Sequence, residues 1–587
     1  MDIPVSVFPM TGWLGARSES GRTPAGSVPE LSGKCTTPLQ PMLLAAGLCA
    51  LMTLPVAWMM RQTIYTDGLA YLEIANNAAT SSPRYLISNA YWSPGYPALI
   101  AATIKLFHPL PSSQSAAVHA LDWVICSGVY LSFTFFLHTL LKWVENTHGA
   151  VFENRILFVS IVALAYALLF FSNIHVQLWV GHPDLLVEAL VYLIAGLCIR
   201  LSLPDSRLSH YVVLGLILAL AYTAKAAMFL LSIILLILLF IWPPLVTKGR
   251  RGALVAAASF LIVSLPLIAA LSYSKGRITF GDAGKLNYAW LVNDVPFSIF
   301  WESSLPHSPG KIASDPVIVK LEGPIRGTWP LWYDPSYWYE GVQAHFDLRQ
   351  QVAAYLGFLG LAHQQQGAVN VKELAQEWIP LFAGAVTFVF MGARIKKAYR
   401  STARHLWLFL WPAAAFVMYA SVHLEYRFVV PFFMLGWVGF FVTACIVAKS
   451  PEKSAPVILV VVITLLMIDG RSFLAFLKPG ASRTGVVDIA AGLGRLGIRR
   501  GDELVTIGAP GIPPAYYSAW LIGARYTYIV AGDPDRMFKR PASDVRAVIE
   551  VLRSNGAKAI VSRARPAFEF DSGWVESTQG IYVRLLQ

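Results

Sequence analysis

Charge is scarce in this sequence. Asp, Glu, Lys and Arg supply 14% of its 587 residues and hydrophobic residues 56%, whereas a water-soluble domain carries about a quarter charged residues. An ordinary soluble fold is thereby excluded. Cysteine is sparse too: Cys35, Cys49, Cys126, Cys198 and Cys445 lie in the N-terminal tail or in apolar runs, with no paired spacing. Neither a disulfide framework nor a cysteine-based zinc site fits that distribution. Acids are outnumbered, 34 against 46 Lys and Arg, for a formal net charge of +12. The basic residues cluster in short segments between apolar runs, where membrane topology puts them. No nucleic acid is expected as a partner; a lipid bilayer is.

What is plentiful is apolar sequence in runs long enough to cross a hydrocarbon core, which takes roughly 20 helical residues. Spans are expected near 42–60, 116–141, 156–172, 184–202, 211–224, 227–245, 253–272, 379–393, 406–420, 428–448 and 455–469, about eleven transmembrane helices in all. The first is too long for a signal-peptide core and lacks a clean small-residue cleavage site, so it reads as a retained anchor. Ahead of it, residues 1–40 are rich in Gly, Pro, Ser and Thr without apolar periodicity and read as a disordered tail. The expected architecture is a polytopic α-helical membrane protein. A transmembrane domain over 41–480 carries large outer loops at 61–115 and 273–378, and a small soluble α/β domain follows over 484–587.

In that last segment the alternation predicts strands at Glu503–Ile507, Tyr526–Val530, Ala557–Val561 and Ile581–Leu585, separated by helices near 485–496, 514–522 and 543–555. Orientation follows from the short loops. Lys248, Arg250 and Arg251 fall in one, Arg394, Lys396, Lys397, Arg400 and Arg404 in a second, Lys449 and Lys453 in a third, all on the cytoplasmic side. The alternate connections, 173–183 and 421–427, hold Arg427 as their only Lys or Arg. They, both long loops and the C-terminus are therefore expected on the outer, periplasmic side of a bacterial inner membrane.

An acid near hydrocarbon is costly, so acids at the outer ends of spans are functional candidates when they face a cavity. Asp67, in Tyr65-Thr66-Asp67-Gly68-Leu69-Ala70-Tyr71, opens the first outer loop. Asp184, in Gly181-His182-Pro183-Asp184, starts a span, where helix capping is the plainer alternative. Lys225 interrupts the apolar stretch from Val212 to Trp242 and marks an outer turn; it either snorkels to the interface or binds phosphate. Lys275 and Arg277 follow a span and are interfacial anchors or phosphate ligands. Glu425 and Arg427 are the charged pair of a very short connection, either a structural ion pair or, for the arginine, a partner for an anionic head group. Aromatic residues crowd Tyr91-Trp92-Ser93-Pro94-Gly95-Tyr96-Pro97 and the segment from Trp329 to Tyr339. An interfacial belt accounts for many such residues. Sugar faces also stack on such rings, and Asp334 and Glu340 stand beside them to bind hydroxyls.

Along the chain, Asp67 with Tyr71, Trp92-Ser93-Pro94-Gly95-Tyr96-Pro97, Pro183-Asp184-Leu185-Leu186, Lys225 in its turn and Glu425-Tyr426-Arg427-Phe428-Val429-Val430-Pro431 occur in that order. Leu496-Gly497-Ile498 and Gly501-Asp502-Glu503-Leu504-Val505 open the last domain. The combination resembles the GT-C membrane glycosyltransferases, particularly the bacterial relatives of protein O-mannosyltransferases (glycosyltransferase family 39) and of aminoarabinose and galacturonosyl transferases. The resemblance implies a hexosyl- or pentosyltransferase with a polyprenyl-phosphate-linked sugar donor and an envelope glycolipid, polysaccharide or protein acceptor. It gives Asp67 the role of catalytic acid or base and makes Asp184 the second catalytic candidate. Lys225, Arg427, Lys275 and Arg277 become candidates for the donor phosphate, and Tyr71, Trp92, Glu425 and Asp334 for substrate contacts. There are departures: Gly68 stands where relatives often carry Glu, Ala70 where aminoarabinose transferases carry Arg, and Trp92-Ser93 lacks a neighbouring Lys. The usual first-loop phosphate clamp is missing, so cations from other outer turns must replace it. Trp332-Tyr333-Asp334-Pro335 is only superficially similar to the oligosaccharyltransferase signature.

The implied chemistry is displacement at an anomeric carbon, for which one carboxylate and two cations suffice. No cofactor is required; a divalent metal is compatible, though no His or acid cluster has ligand spacing. The rival reading is a lipid-linked sugar flippase or transporter. Such a protein would show repeated bundle halves, and no repeat of a half is visible.

Overall fold

The computed structural model describes residues 37–586 apart from 149–151, 177–180, 242–247, 302–304, 326, 362–406, 448–454, 477–484, 509–512, 565–572 and 579. The chain is mostly helical, with one sheet. Helices fall on the expected apolar segments: α1 Gln40–Met60, α4 Gln114–His148, α5 Arg155–Val176, α6 Asp184–Leu201, α7 Leu208–Ala224, α8 Ala227–Ile241 and α9 Gly249–Lys275. Trp407–Ala420 (α14), Tyr426–Val447 (α15) and Ala455–Phe476 (α16) continue the series. The segment expected at 379–393 and the basic loops at 394–404 and 449–453 lie outside the described residues.

Among the described residues, four helical stretches are long and apolar enough to cross a bilayer: Gln40–Met60, Pro111–Thr147, Arg155–Asn173 and Gly249–Lys275. Packing inside the bundle is aromatic where α4, α5 and α6 meet. Phe133 stands edge-on to Tyr166 and Tyr192, at 5.5 and 5.1 Å between ring centroids. Outward positions remain apolar, with Leu44, Trp58 and Ile262 about two-thirds or more exposed. Apolar surface on that scale is tolerated where lipid covers it.

The two long connections are structured. The first contains α2 Thr66–Thr80 and α3 Gly95–Phe107; the second contains α10 Ala283–Leu291, α11 Pro330–Tyr333, α12 Pro335–Trp338, α13 Leu348–Phe358 and two strands, β1 Gly310–Ser314 and β2 Val317–Lys320. Those strands join the C-terminal ones, β3 Glu503–Ile507, β4 Arg525–Val530, β5 Ala559–Ser562, β6 Trp574–Thr578 and β7 Ile581–Leu585, in one sheet of order β1-β2-β4-β3-β5-β7-β6. The helices α17 Gly485–Arg495, α18 Tyr516–Ile522, α19 Pro534–Met537 and α20 Ala542–Ser554 complete that region. Parallel β4-β3-β5 forms the middle, linked by crossovers through α18 and α20. Its strands are buried nearly throughout, as the middle of a sheet covered on both faces is.

Four strands match the sequence expectation within two residues; β6, β1 and β2 were not foreseen. β2 pairs antiparallel with β4, Val319 opposite Ile529, so a segment of the second long loop is built into the C-terminal sheet. A shared sheet requires the 273–378 loop and the C-terminal region to lie on one side of the bundle. The first loop joins them. Glu73 of α2 accepts hydrogen bonds from the Thr328 amide and hydroxyl, at 2.8 and 2.5 Å, and from the Tyr516 hydroxyl at 3.4 Å.

Candidate active site

The site lies where α2, the start of α6, the α7–α8 turn and the start of α15 converge. Asp67 sits in the first turn of α2 and Asp184 is the first residue of α6. Lys225 occupies the break between α7 and α8 with an extended backbone, φ −153° and ψ 126°. Glu425 precedes α15 and Arg427 is its second residue. Because Glu425 is outside the helix, both members of the 425–427 pair turn to the same centre.

Lys225 Nζ donates to Asp184 Oδ1 at 2.6 Å and lies 3.5 Å from the centre of the Phe428 ring. It is held rather than free to snorkel. The Asp184 carboxylate bonds to this lysine, and Pro183 is the N-cap residue of α6. Arg427 branches between acids: Nε lies 2.5 Å from Glu425 Oε2 and 3.8 Å from Asp184 Oδ2, and Nη2 donates to Asp67 Oδ2 at 3.4 Å. The ion pair of residues 425 and 427 thus extends into a network of three carboxylates and two cations. The Trp332 indole N–H donates to Asp67 Oδ1 at 3.2 Å.

Burial raises Asp67 above the usual carboxylate range, with Arg427 opposing and Glu425 adding to the rise. A carboxylate so tuned is a better proton acceptor than an ordinary aspartate. Burial also pushes Glu425 up, but the His423 hydrogen bond and Arg427 outweigh it and leave that carboxyl at about 2. Glu425 is a fixed anion, suited to orienting Arg427.

Tyr71 and Trp92 adjoin the network as packed rings. They meet edge-on at 5.0 Å, and Trp92 stands 5.6 Å from Trp332, its indole N–H donating to the Trp332 carbonyl at 2.9 Å. The two aromatic segments therefore interlock. Asn89 and Ala90 bond to Tyr333 and Ser336 in the same seam. Gly95 brings this loop to the Lys225 turn: a Cβ there would lie 2.9 Å from the Thr223 backbone, a distance only glycine permits.

Lys275, Arg277 and Asp334 are placed apart from the network. Arg277 bridges Asp282 at 2.7 Å and Glu340 at 3.2 Å; Lys275 lies 3.5 Å from Glu340 and donates to the Ser336 carbonyl. Asp334 is buried and caps α12, accepting from Ser336 Oγ and Tyr337 N. Its carboxylate is engaged in local structure. Sequence reading named Trp332 only as one ring of an aromatic segment and passed over His182 and His423. His182 Nδ1 lies 3.0 Å from Asp184 Oδ2, and His423 Nε2 3.2 Å from Glu425 Oε1. Each histidine stands two residues before an acid of the centre, Asp184 or Glu425, and that proximity was the one signal in the sequence that pointed to them. Among the described residues no three His, Cys, Asp or Glu side chains gather as a metal site.

No family model matches the sequence, and no curated protein matches it either. Solved structures do. ArnT from Cupriavidus metallidurans in the apo state aligns over 93% of this chain and 97% of its own, at 10% identity and a TM-score of 0.51. The same protein bound to undecaprenyl phosphate aligns over 93% and 98%, at 11% identity and a TM-score of 0.53. The apo oligosaccharyltransferase of Archaeoglobus fulgidus aligns over 90% of this chain and 70% of its own, at 12% identity and a TM-score of 0.51. With a helical bundle, structured long loops and a C-terminal sheet aligned over nine-tenths of its length, this chain has the fold of the GT-C membrane glycosyltransferases.

Proposed function

We propose that the protein transfers a sugar from a polyprenyl-phosphate carrier to a hydroxyl of an envelope glycolipid, polysaccharide or protein at the outer face of the inner membrane. The convergence of Asp67, Asp184 and Glu425 with Lys225 and Arg427 carries this reading. It supplies a proton acceptor and a pair of cations at one centre. The ArnT structure with undecaprenyl phosphate supports a lipid-phosphate donor.

In the reaction, Asp67 takes the proton of the acceptor hydroxyl as that oxygen bonds to the anomeric carbon. The bond from that carbon to the phosphate oxygen breaks and its electron pair stays on the phosphate, where Lys225 and Arg427 meet the charge. Arg427 has five N–H donors, enough to keep Glu425 while gripping a phosphate oxygen. Lys225 exchanges part of its contact with Asp184 for the same purpose. Asp184 holds the two cations at one spacing. No metal enters this scheme. Lys275 and Arg277 belong to a structural seam in it, and the aromatic rings of Tyr71 and Trp92 wall the acceptor side.

Mass spectrometry of envelope lipids and glycoconjugates from deletion and wild-type cells tests the proposal. The expected result is one missing sugar together with accumulation of its carrier lipid. Identical profiles would overturn it.

A further inference from the structure

The network around Asp67 is unbalanced in charge. Asp67, Asp184 and Glu425 face Lys225 and Arg427, three acids against two cations, which leaves one net negative charge among these five groups. A donor phosphodiester raises the excess to two, and sugar transfer then leaves a phosphomonoester whose second ionisation lies near pH 6. An excess of that size in a partly desolvated site is costly unless a further positive charge appears.

One side chain here is built to supply it. The His182 ring is 2% exposed, and its Nε2 has no hydrogen-bond partner among the described residues. Its Nδ1 lies 3.0 Å from Asp184 Oδ2. Gly181, at φ +69°, lays this segment on α2 and α4: a Cβ there would sit 3.5 Å from the Gly68 Cα and 3.7 Å from Val118. The charged groups facing the ring are Asp184 of α6, Lys225 of the α7–α8 turn, and Arg427 and Glu425 at α15. On the α2 side stands Gly68, next to Asp67; on α4, His119 is turned to the Thr63 carbonyl at 2.7 Å.

We infer that His182 takes up a proton when the donor phosphate binds, so that an imidazolium beside Asp184 becomes the third cation of the site. The inference rests on the lipid-phosphate donor proposed above. In the ligand-free protein, burial, Arg427 and Lys225 hold the imidazole neutral against the pull of Asp184, at about 3. A phosphate engages those two cations and adds its own negative charge. One unit charge near 4 Å, at the effective dielectric of a protein surface, moves an imidazole midpoint by about three pH units. That step brings His182 to the neutral range, and the weakened repulsion from Lys225 and Arg427 adds to it.

The test uses the full-length protein in detergent and a short-chain isoprenyl methyl phosphodiester, which exchanges no proton near neutral pH. Titration calorimetry at pH 6.5, in two buffers of different ionisation heat, counts protons bound per ligand. Wild type is expected to take up roughly half a proton or more, with affinity weakening by about tenfold per pH unit between the free-state and bound-state midpoints and levelling off above the latter. His182→Gln should bind with near-zero uptake and a flat pH profile, while His423→Gln keeps the uptake. Binding to wild type without proton uptake overturns the inference, and needs no variant to fold. So does uptake that survives in His182→Gln or disappears only in His423→Gln. Absence of phosphodiester binding at every pH would instead strike the donor reading itself, and the inference with it.

Discussion

At the residue scale, the roles of Asp67, Lys225 and Arg427 separate by what each substitution removes. Asp67→Asn keeps side-chain volume and loses the proton-accepting oxygen. Transfer from a short-chain polyprenyl-phosphate sugar should fall by about 10²–10⁴-fold with donor binding retained. Substantial remaining turnover would remove Asp67 from the base role. Because burial raises Asp67 and a base must be deprotonated, activity should be lost on the acid side above the ordinary aspartate range. Lys225→Met keeps the apolar stem beside Phe428 and drops the charge; Arg427→Lys keeps the charge and drops the fork that spans Glu425 and Asp67. Each should weaken donor binding by about tenfold to a hundredfold, the scale of a lost charge-assisted hydrogen bond. Unchanged donor affinity in both would dismiss the clamp. Glu73 offers a stability test. Burial raises it to about 7, against the hydrogen bonds from Thr328 and Tyr516. Below the unfolded value near 4.5 both states hold the proton. Between there and about 7 the unfolded chain releases it first, so wild-type stability declines with rising pH by about 3 kcal/mol in total. Glu73→Gln should flatten that decline in a thermal-shift series from pH 5 to 8. Parallel curves for the two proteins would deny Glu73 this titration.

At the scale of elements, the β1–β2 hairpin is the part of the second loop that local sequence conceals. Strands β3, β4, β5 and β7 have apolar runs bounded by glycine or polar turns, and their periodicity was enough to place them. The hairpin is two short runs, Gly310–Ser314 and Val317–Lys320, whose partner strand begins about two hundred residues later. Local pattern carries no signal over that distance. Its anchor is Ile318, fully buried with Val505, Tyr528 and Val530. Ile318→Ala should cost about 2–5 kcal/mol locally. Hydrogen exchange should then quicken in 317–320 and 526–530 while the α4 and α6 amides stay protected. Exchange unchanged in the sheet would mean that the hairpin is held some other way.

At the scale of the whole molecule, both long loops and the C-terminal sheet occupy one side, and the positive-loop pattern proposes that this side is the outer one. A cysteine replacing Asp315, whose side chain is 85% exposed, should react with an impermeant maleimide in intact spheroplasts, with the parent protein as blank. Ser336, buried against Asp334, would be a poor reporter. Labelling only after permeabilisation would reverse the orientation. The sequence by itself determined the membrane-bundle class, the positions of the described apolar helices and most C-terminal strands, because solvent preference and period are written locally. It also singled out the five charged residues of the centre, since charge at the end of an apolar run is conspicuous. Only the tertiary structure decided which cations belong together: Lys225 and Arg427 meet Asp67 and Asp184, while Lys275 and Arg277 close a separate seam with Glu340 and Asp282. It alone brought Trp332 and His182 to the carboxylates and tied Glu73 to Thr328 and Tyr516. Such pairings join residues far apart along the chain through packing of helices and loops, and a one-dimensional pattern has no term for that.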